Sequence, residues 1–577
     1  MQYEVNFGRL DKPPRAAGMG AKFRLALLGD ISGRANAGTV ETGEALARRK
    51  PIKIDVDNLD DVLARQKLSL SLALAEDGAT VAVPLASLDD FHPDQLAENL
   101  GLFTELRTLR RNLANRATFD RAAKTVLSWS GEAPLPHRRR RARGAAVATD
   151  RKLSDFARLI GRPGAAEAEA ASADALMRRL VGPFIVPTRD ARQDQLIARV
   201  DEALSAAMRR VLHHPDFQAA EALWRGIEFL VRRIETGARM EIVLYDVSAE
   251  ELAADLAATD ALEDTGLYGM LIEQPALDAH QGKLSAVIGL YDFELAPPHA
   301  DLLGRIARIA AAAAAPFIAG IGPDPLKLPF HEQHPLIQDA WSALQALPQA
   351  AYLGLAAPRF LLRLPYGRKS DPIDAFAFEE FTRQEGLSGM LWGHPALLPA
   401  LLLAGSFARQ GAKMKLGSVM SAGDMPYYVY IGPDGEPVAL PCTERLYSER
   451  QAVQVVSYKV MPLLSLRGRP EVRLGGFSSV AGTPLAGFWP SPALAPVAEV
   501  VPPAAEAESD SDSEPAEETA AATDDAEPAA DADATGTPAE DGGGDLDALL
   551  AGLNTEAEAP AADATEPDLD ALLASLN

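Results

Sequence analysis

The end of the chain differs in composition from everything before it, and this break decides how much of the chain can build a core. No aromatic residue follows Trp489, and residues 501–577 hold 22 Asp and Glu side chains but no Lys or Arg. Of the formal net charge of −25, only −3 therefore belongs to residues 1–500. Such a segment buries too little apolar surface to offset the entropy of ordering it. We predict a disordered acidic tail over residues 491–577.

One ten-residue pattern occurs twice within this tail, at residues 545–554 and at residues 568–577. The copies read DLDALLAGLN and DLDALLASLN. In a helix the leucines of each copy form one apolar stripe, with aspartate at the N-terminal end that the helix dipole favours. Each copy is too short to be a stable helix alone, which is typical of a segment that folds in the groove of a partner. The alternative is a chance repeat. We predict partner-binding motifs at the eight leucines: Leu546, Leu549, Leu550, Leu553, Leu569, Leu572, Leu573 and Leu576.

Cysteine content and hydropathy exclude several classes of protein. Cys442 is the single cysteine, so a disulfide framework or a cysteine-based zinc site within one chain is excluded, and we predict a buried thiol. The N-terminus carries acidic side chains and no apolar run, unlike a secretory signal. Residues 386–408 lack charged side chains over a length that could span a bilayer, but their prolines favour a buried core helix after a loop. We expect a cytoplasmic protein that is not membrane-embedded.

Residues 1–130 have the pattern of a small α/β domain. Residues 23–28 form an apolar run, and residues 52–56 alternate apolar with charged side chains, so each segment predicts a strand. Residues 68–85 alternate on both sides of an Asp-Gly pair, which predicts a β-hairpin. A helix is predicted to begin near Asp94, with one apolar stripe. The stripe consists of Leu96, Leu100, Phe103, Leu106, Leu109 and Leu113.

Residues 131–192 are predicted to form a connector rich in Pro, Arg and Ala. It contains five arginines within six residues, Arg138–Arg143, which we call the Arg cluster. Such a cluster could contact nucleic acid or anionic lipid. No aromatic side chains interleave with it, as a single-strand binder requires. We therefore predict a solvated linker or a strip that docks on an acidic surface, and no specific nucleic-acid partner. The acidic tail is one hypothetical docking surface, in a contact that salt would weaken.

Residues 193–490 have the pattern of a larger, layered α/β domain. Apolar residues at helical spacing predict one helix from Gln195 to His214, which ends because a residue before proline resists the helical conformation. A second helix is predicted around residues 224–234, and a third over residues 301–315. Three apolar runs predict strands between and after these helices, and this alternation favours a layered α/β fold. The predicted strands are residues 240–247, 284–290 and 317–321.

The sequence contains no recognisable catalytic constellation. Phosphate-loop, dinucleotide-binding and nucleophile-elbow motifs are absent. His331 and His334 have HxxH spacing rather than the HExxH of zinc enzymes, and prolines on both sides predict a loop without metal. His213 and His214 end a predicted helix, where imidazoles can cap free carbonyls. We predict that the protein is not an enzyme and uses no cofactor or metal. Two further acidic candidates are predicted to be solvated on one strand face: Asp55 and Asp57.

Several segments resemble the two sheath subunits of bacterial type VI secretion systems. Three resemble the small subunit, TssB: PIKIDVDNLDDVL at residues 51–63, LDDFHP at 88–93 and LRTLRRNL at 106–113. Five resemble the large subunit, TssC: LHHPDFQ at 212–218, LWRG at 223–226, RFLLRLPYG at 359–367, LWG at 391–393 and PCTE at 441–444. The resemblance covers roughly residues 20–130 and 195–490. It identifies the chain as a fusion of both subunits with the small one first.

This resemblance implies a structural function. In the family, small and large subunits form protomers that stack into a helical tube around an inner tube of Hcp, joined by β-strands exchanged between neighbours. Contraction drives the inner tube through the envelope and so translocates effectors. The resemblance therefore implies self-assembly of this chain, with three further partners: Hcp, baseplate proteins and a ClpV-like AAA+ unfoldase.

The sequence departs from the family pattern near its end. TssC continues into a further C-terminal domain, whereas here the acidic tail begins near Trp489. A family motif of the type LWGN also reads LWGH at residues 391–394. These departures leave an alternative open, namely a sheath-derived adaptor or assembly scaffold whose tail motifs recruit a partner protein.

Overall fold

A computed structural model describes the protein over eight segments. They are residues 5–10, 22–74, 80–129, 191–277, 282–384, 386–432, 435–466 and 468–489. All of them belong to one compact unit. The acidic tail with its eight leucines and the Arg cluster lie outside the described residues, so the predictions made for them stay predictions. We call residues 22–129 the small half and residues 191–489 the large half.

Short strands are distributed over both halves. In the small half they are β1 Phe23–Gly29, β2 Ile52–Ile54, β3 Leu68–Ala73 and β4 Thr80–Leu85. In the large half they are β5 Met240–Asp246, β6 Ala286–Phe293, β7 Phe317–Ile321, β8 Leu353–Ala357, β9 Phe360–Leu361, β10 Trp392–Gly393, β11 Ser421–Ala422, β12 Val429–Ile431, β13 Pro437–Ala439, β14 Met461–Ser465 and β15 Val472–Leu474.

Helices connect and cover these strands. The small half contains α1 Gly43–Ala47, α2 Leu59–Gln66, α3 Pro93–Asn99, α4 Gly101–Ala114 and α5 Phe119–Trp129. The large half contains α6 Ala191–Leu212, α7 Pro215–Arg233, α8 Ala249–Ala257, α9 Gly266–Tyr268, α10 Gln274–Leu277, α11 Pro297–Ala313, α12 Pro335–Ala346, α13 Leu397–Gln410 and α14 Glu449–Ser457. A π-helical turn, Gly269–Glu273, joins α9 to α10.

A nine-stranded sheet spans both halves, in the order β11-β15-β14-β8-β7-β6-β1-β5-β2. The strands from β14 to β5 run parallel, whereas at the two ends β2, β15 and β11 each pair antiparallel with the preceding strand of the sheet. Strand β1 of the small half therefore lies inside the sheet, third from the β2 end and between two strands of the large half. The predicted mixed α/β fold is confirmed, and the large sheet that organises it draws strands from both halves.

Both faces of this sheet are covered by helices. Side chains therefore alternate between two cores along each central strand. In β1, Leu25 and Leu27 pack in the core that contains α2 to α7 and α13, whereas Ala26 and Leu28 pack in the core that contains α8, α11 and α12. The first of these cores draws residues from both halves. The large half thus covers much of the small half's apolar surface.

The predicted small-half strands are largely confirmed. The hairpin forms, with β3 antiparallel to β4. The strand predicted over residues 52–56 ends at Ile54, so its last residue was predicted wrongly: Val56 is 51% exposed in a turn. The cause is a pair of hydrogen bonds, in which the side-chain oxygens of Asp55 and Asn58 each accept from the other's backbone N–H at 3.0 Å. This turn leads into α2, so Asp55 and Asp57 do not share a strand face.

The predicted helices are found with two corrections. The stripe from Leu96 to Leu113 belongs to two helices, because Leu100 between α3 and α4 adopts an extended conformation with φ −93° and ψ 123°. Neighbouring Asn99 and Gly101 have low helix propensity, which places the break there. Helix α5 was not predicted from the sequence. In the large half, the three predicted helices correspond to α6, α7 and α11.

The uncharged stretch over residues 386–408 forms the predicted loop followed by a buried helix, α13, whose apolar residues pack in the first core. Within the segments that the structure describes, we find no helix that is both long enough and apolar enough to cross a membrane.

Candidate functional site: the junction of the two halves

Strand β1 makes the most extensive contact between the halves. It pairs with β5 along its whole length, from Phe23 opposite Met240 to Gly29 opposite Asp246, and with β6 over four residues. All seven residues of β1 are buried. Buried Arg24 is held by its Nη1, which donates to the carbonyl oxygen of Gly282 at 2.8 Å. The large half thus supplies the strand partners on both sides of β1 and a carbonyl acceptor for the Arg24 side chain.

An ion-pair cluster joins the loop after β1 to helix α8. The carboxylate of Glu251 is fully buried, with 0% side-chain exposure. It accepts hydrogen bonds from Arg34 Nε at 2.9 Å and Arg49 Nη1 at 2.8 Å, both of the small half. Glu41 pairs with the same two arginines. We call these four side chains the Glu251 cluster.

The pKa of Glu251 depends on both its burial and its hydrogen-bond donors. Burial by itself raises the pKa of the carboxyl group. The hydrogen bonds from Arg49 and Arg34, with those from backbone N–H groups of Ser248 and Glu41, outweigh burial and lower the pKa from 4.5 to about 2. The ionised carboxylate therefore stabilises the folded state.

A glutamine substitution tests this contribution. E251Q removes the charge that Arg34 and Arg49 share, and we expect it to cost about 3 kcal/mol of the free energy of unfolding at pH 7. Because the folded-state pKa is lowered, the contribution is present above pH 4.5 and is lost as the pH falls toward 2. The difference in melting temperature between wild type and E251Q should shrink over that window. The control is E44Q, which disrupts an exposed pair with Arg48; an equal effect of E44Q would contradict the assignment.

Helix α8 also carries a second buried acid at the junction, Asp255. Its Oδ1 accepts from the backbone N–H of Gly43 in the small half at 2.6 Å, and from that of Gly266 in the large half at 2.9 Å. Its Oδ2 accepts from the N–H of Leu267. The Asp255 carboxylate thus caps the start of α9 and also binds the first residue of α1, so it connects these two helices.

On the other side of the sheet lies a buried charge network in the large half. Arg363 lies between Glu221 of α7 and Glu380, with nitrogen–oxygen distances of 2.7 Å to each, and the two carboxylates are 0% and 1% exposed. Arg225 donates to Glu221 at 2.8 Å and to the hydroxyl of Tyr366 at 3.1 Å. Burial by itself raises the pKa of Glu221, but Arg363 and Arg225 outweigh it and hold the pKa below its ordinary value. We call these side chains the Arg363 network.

The small half packs directly against this network. The ring of His92 lies edge-on to the ring of Tyr366, with 4.9 Å between centroids. Phe91 meets Phe217 in the same way at 5.6 Å. The carboxylate of Asp94 accepts from the backbone N–H groups of residues 374 and 375 at 2.8 to 3.1 Å. The segment with the sequence LDDFHP is therefore a contact to the large half.

His-Pro pairs begin three helices of the described chain in the same way. The Nδ1 atoms of His92, His214 and His334 accept from the backbone N–H two residues later, at 3.2 to 3.3 Å. His394 makes the same contact just before α13. Proline lacks an N–H, so this is the first backbone donor available. The C-cap predicted for His214 is thus wrong, because this residue caps the beginning of α7.

A cleft lies where strands β1 and β6 end, with a volume of about 690 Å³. The small half lines it with residues of the loop after β1, among them Asp30 and Asn36. The large half contributes the start of α7 and an aromatic and charged wall. In open α/β sheets, ligands bind in crevices at the carboxyl ends of the strands. The wall includes Asp292, Arg359, Trp392, His394 and Glu444.

Comparison with known families assigns both halves. A family model described as "Type VI secretion system, VipA, VC_A0107 or Hcp2" matches residues 19–128. A second, VipB, described as "EvpB/VC_A0108, tail sheath N-terminal domain", matches residues 194–481.

The chain belongs to the type VI secretion sheath family. It carries the small-subunit (TssB) and large-subunit (TssC) sheath domains in one polypeptide, as the sequence motifs indicate. The type VI secretion system sheath protein TssC1 of Pseudomonas aeruginosa is 31% identical over 288 residues, which is 47% of this chain. The match spans 58% of that relative's length.

The remaining predicted sites of this sheath chain lie apart from the junction. Cys442 is buried as predicted, and burial raises the pKa of its thiol. His331 lies in a short 3-10 turn after Pro329. No group of residues suited to a metal ion occurs among the described residues. The Glu251 cluster and the Arg363 network were not predicted, although an arginine inside the apolar run FLLRLP, at residues 360–365, was a sign of a buried charge.

Proposed function

We propose that this chain is a structural subunit of a type VI contractile sheath in the bacterial cytoplasm. Copies assemble into a helical tube around an Hcp inner tube, and contraction of the tube drives effector translocation. The observation that carries the proposal is that segments matching both sheath subunits share one sheet. The proposed function requires no chemistry by the chain itself. Further proposed partners are baseplate proteins and a ClpV-like unfoldase.

The proposal includes the domain boundaries. The small sheath domain comprises residues 1–130, the connector residues 131–192, the large sheath domain residues 193–490 and the acidic tail residues 491–577. The buried contacts at the junction support a protomer in which the two sheath domains fold as one body. The lattice is then built from contacts between such protomers.

Negative-stain electron microscopy of the purified full-length chain tests the function. We expect hollow tubes or stacked rings. A chain that stays monomeric at high concentration would contradict self-assembly.

The hairpin β12–β13 offers a surface for contact with a second copy. Within the described residues, its strands pair only with each other, and Val429 and Ile431 are 44% and 45% exposed. An unpaired strand edge with apolar side chains favours pairing with another chain. We expect V429D/I431D to abolish tubes in micrographs while leaving the melting temperature within about 2 °C, because surface substitutions cost little stability. The control V40D/V56D changes two similarly exposed valines and should keep the tubes; loss of tubes in both variants would contradict the assignment.

We further propose that the two leucine motifs of the tail bind a partner protein. The support is the repeated spacing of the eight leucines, and the comparisons give no support to an adaptor function for the whole chain. A chain without residues 541–577 should form the same tubes as the full chain but lose one partner in pull-downs from the native host. Loss of tubes would contradict a role confined to partner binding.

A further inference from the structure

The cleft at the carboxyl ends of β1 and β6 concentrates negative charge. Four of its carboxylates belong to Asp30, Asp216, Glu250 and Asp292. Within the described part of the chain, none of the four has a Lys or Arg nitrogen within 4.0 Å. Among the described residues, Asp30 and Asp216 accept hydrogen bonds only from neutral N–H groups. The wall of the cleft thus presents carboxylates without cationic partners.

Arg359, the one arginine among the described residues that line the cleft, does not offset this charge. Arg359 is bound by Glu444, with Nε and Nη2 each 2.9 Å from a carboxylate oxygen. This bidentate pair adds no net charge. His394 lies 3.5 Å from Asp292, and burial lowers the pKa of its imidazole. The cleft as a whole is therefore acidic.

The surplus of negative charge in the cleft also disfavours ionisation of the Asp30 carboxyl group. Burial raises the pKa of its carboxyl group, and the carboxylates of Asp246 and Glu250 act in the same direction, against hydrogen bonds from the backbone of the loop. A cation entering the cleft would relieve this repulsion.

The apolar wall makes the cleft suitable for arginine in particular. Trp392, Leu391 and Met390 line one side. Arginine combines a long apolar stem with a planar guanidinium, which stacks on aromatic rings and pairs with carboxylates through two hydrogen bonds. A small cation such as a metal ion would use the carboxylates but not the wall.

We propose that this cleft is the docking site of the chain's own Arg cluster, Arg138–Arg143. The cluster places five positive charges in six residues, matching the unpaired carboxylates. It follows the end of α5, Trp129, by nine residues, which reach at most about 30 Å when extended. The acidic tail cannot occupy the cleft, because its carboxylates would be repelled.

A peptide added to a chain that lacks the cluster tests the proposal. The full chain carrying R138Q/R139Q/R140Q/R141Q/R143Q leaves the cleft free. The probe is a fluorescein-labelled peptide of residues 134–146, and fluorescence anisotropy measures its affinity. We expect binding that weakens as salt rises from about 50 to 300 mM. The wild-type chain should bind the peptide at least about tenfold more weakly, because its own cluster occupies the cleft.

Matched substitutions assign the binding to the cleft. Adding E250Q/D292N to the cluster-free chain should weaken peptide binding at least about tenfold. Adding D57N/E98Q, which removes two exposed carboxylates outside the cleft, should change it less than about twofold. All four side chains are exposed, so equal melting temperatures will verify folding.

Four outcomes would overturn the proposal. Equal weakening by both pairs would mean non-specific attraction. No weakening by E250Q/D292N, or no binding of the peptide at all, would mean that the cleft does not take the cluster; binding that survives would then be assigned to the acidic tail. Equal affinity for wild type and the cluster-free chain would mean that the chain's own cluster lies elsewhere.

Discussion

A chain that begins at residue 131 is expected to be insoluble when expressed alone. Removing β1 exposes the facing edges of β5 and β6 and opens both cores. Four large apolar side chains, those of Phe23, Leu25, Leu27 and Leu28, contribute on the order of 10 kcal/mol through burial. This is comparable with the whole stability of a typical domain, about 5–15 kcal/mol. The measurements are the soluble fraction and the cooperativity of thermal unfolding by circular dichroism.

Supplying the missing half should restore folding. Co-expression of residues 1–130 with residues 131–577 should give a soluble complex of one copy each, because β1 can pair with β5 and β6 without a covalent link between the two fragments. A single substitution provides a graded version in the intact chain: L27A should cost about 2–5 kcal/mol, whereas L102A at an exposed position should cost below about 0.5 kcal/mol. A cooperative melt of residues 131–577 alone, at the wild-type temperature, would show that β1 is dispensable.

The second large effect is expected at the Arg363 network. R363M leaves the carboxylates of Glu221 and Glu380 buried with one fewer cation, and breaking a buried pair in this way costs about 3–5 kcal/mol. Arg225 still contacts Glu221 but not Glu380. R363K should recover part of the loss, since lysine restores the charge but not the paired hydrogen bonds. Chemical denaturation at pH 7 gives the free energy of unfolding.

The pH dependence distinguishes a charge effect from a packing effect. In the wild type, the pKa of Glu221 is lowered, so its contribution is present above its ordinary pKa of 4.5 and declines below it. The cost of R363M should therefore fall as the pH drops below 4.5. The control R232M removes an exposed partner of Glu228 and should cost below about 0.5 kcal/mol. A cost of R363M that is independent of pH would assign the effect to lost packing.

Local patterns in the sequence predicted the strands from β1 to β7 and several of the helices, but neither the later strands nor which distant strands are neighbours. The hairpin β3–β4 was accessible because its two strands are adjacent in the chain and alternate cleanly. The neighbours of β1 begin only at Met240 and Ala286, and no local pattern identifies partners at that distance. One sign was present: FRLALLG is apolar at both odd and even positions, which is typical of a strand covered on both faces.

The Glu251 cluster and the Arg363 network could not be predicted from the sequence for a related reason. Glu221 and Arg363 are separated by 142 residues, and no local pattern pairs a glutamate of α7 with an arginine that follows β9. Their burial follows from how α7 packs against the segment after β9. The family motifs were more informative than periodicity here, since LDDFHP and RFLLRLPYG meet through His92 and Tyr366.

The position of β1 between two strands of the large half also affects synthesis of the chain. A ribosome completes this strand at Gly29 and begins its partner β5 at Met240, so at about 5–20 residues per second β1 waits roughly 10–40 s for a neighbour. During that interval seven residues that end up buried must be shielded, and the nascent small half can do so only in part. Fusion of the two sheath domains reduces the time for which β1 stays unpaired after this interval. Once β5 emerges, its partner is tethered to the same nascent chain, and the strand need not find a separately translated subunit among competing polypeptides.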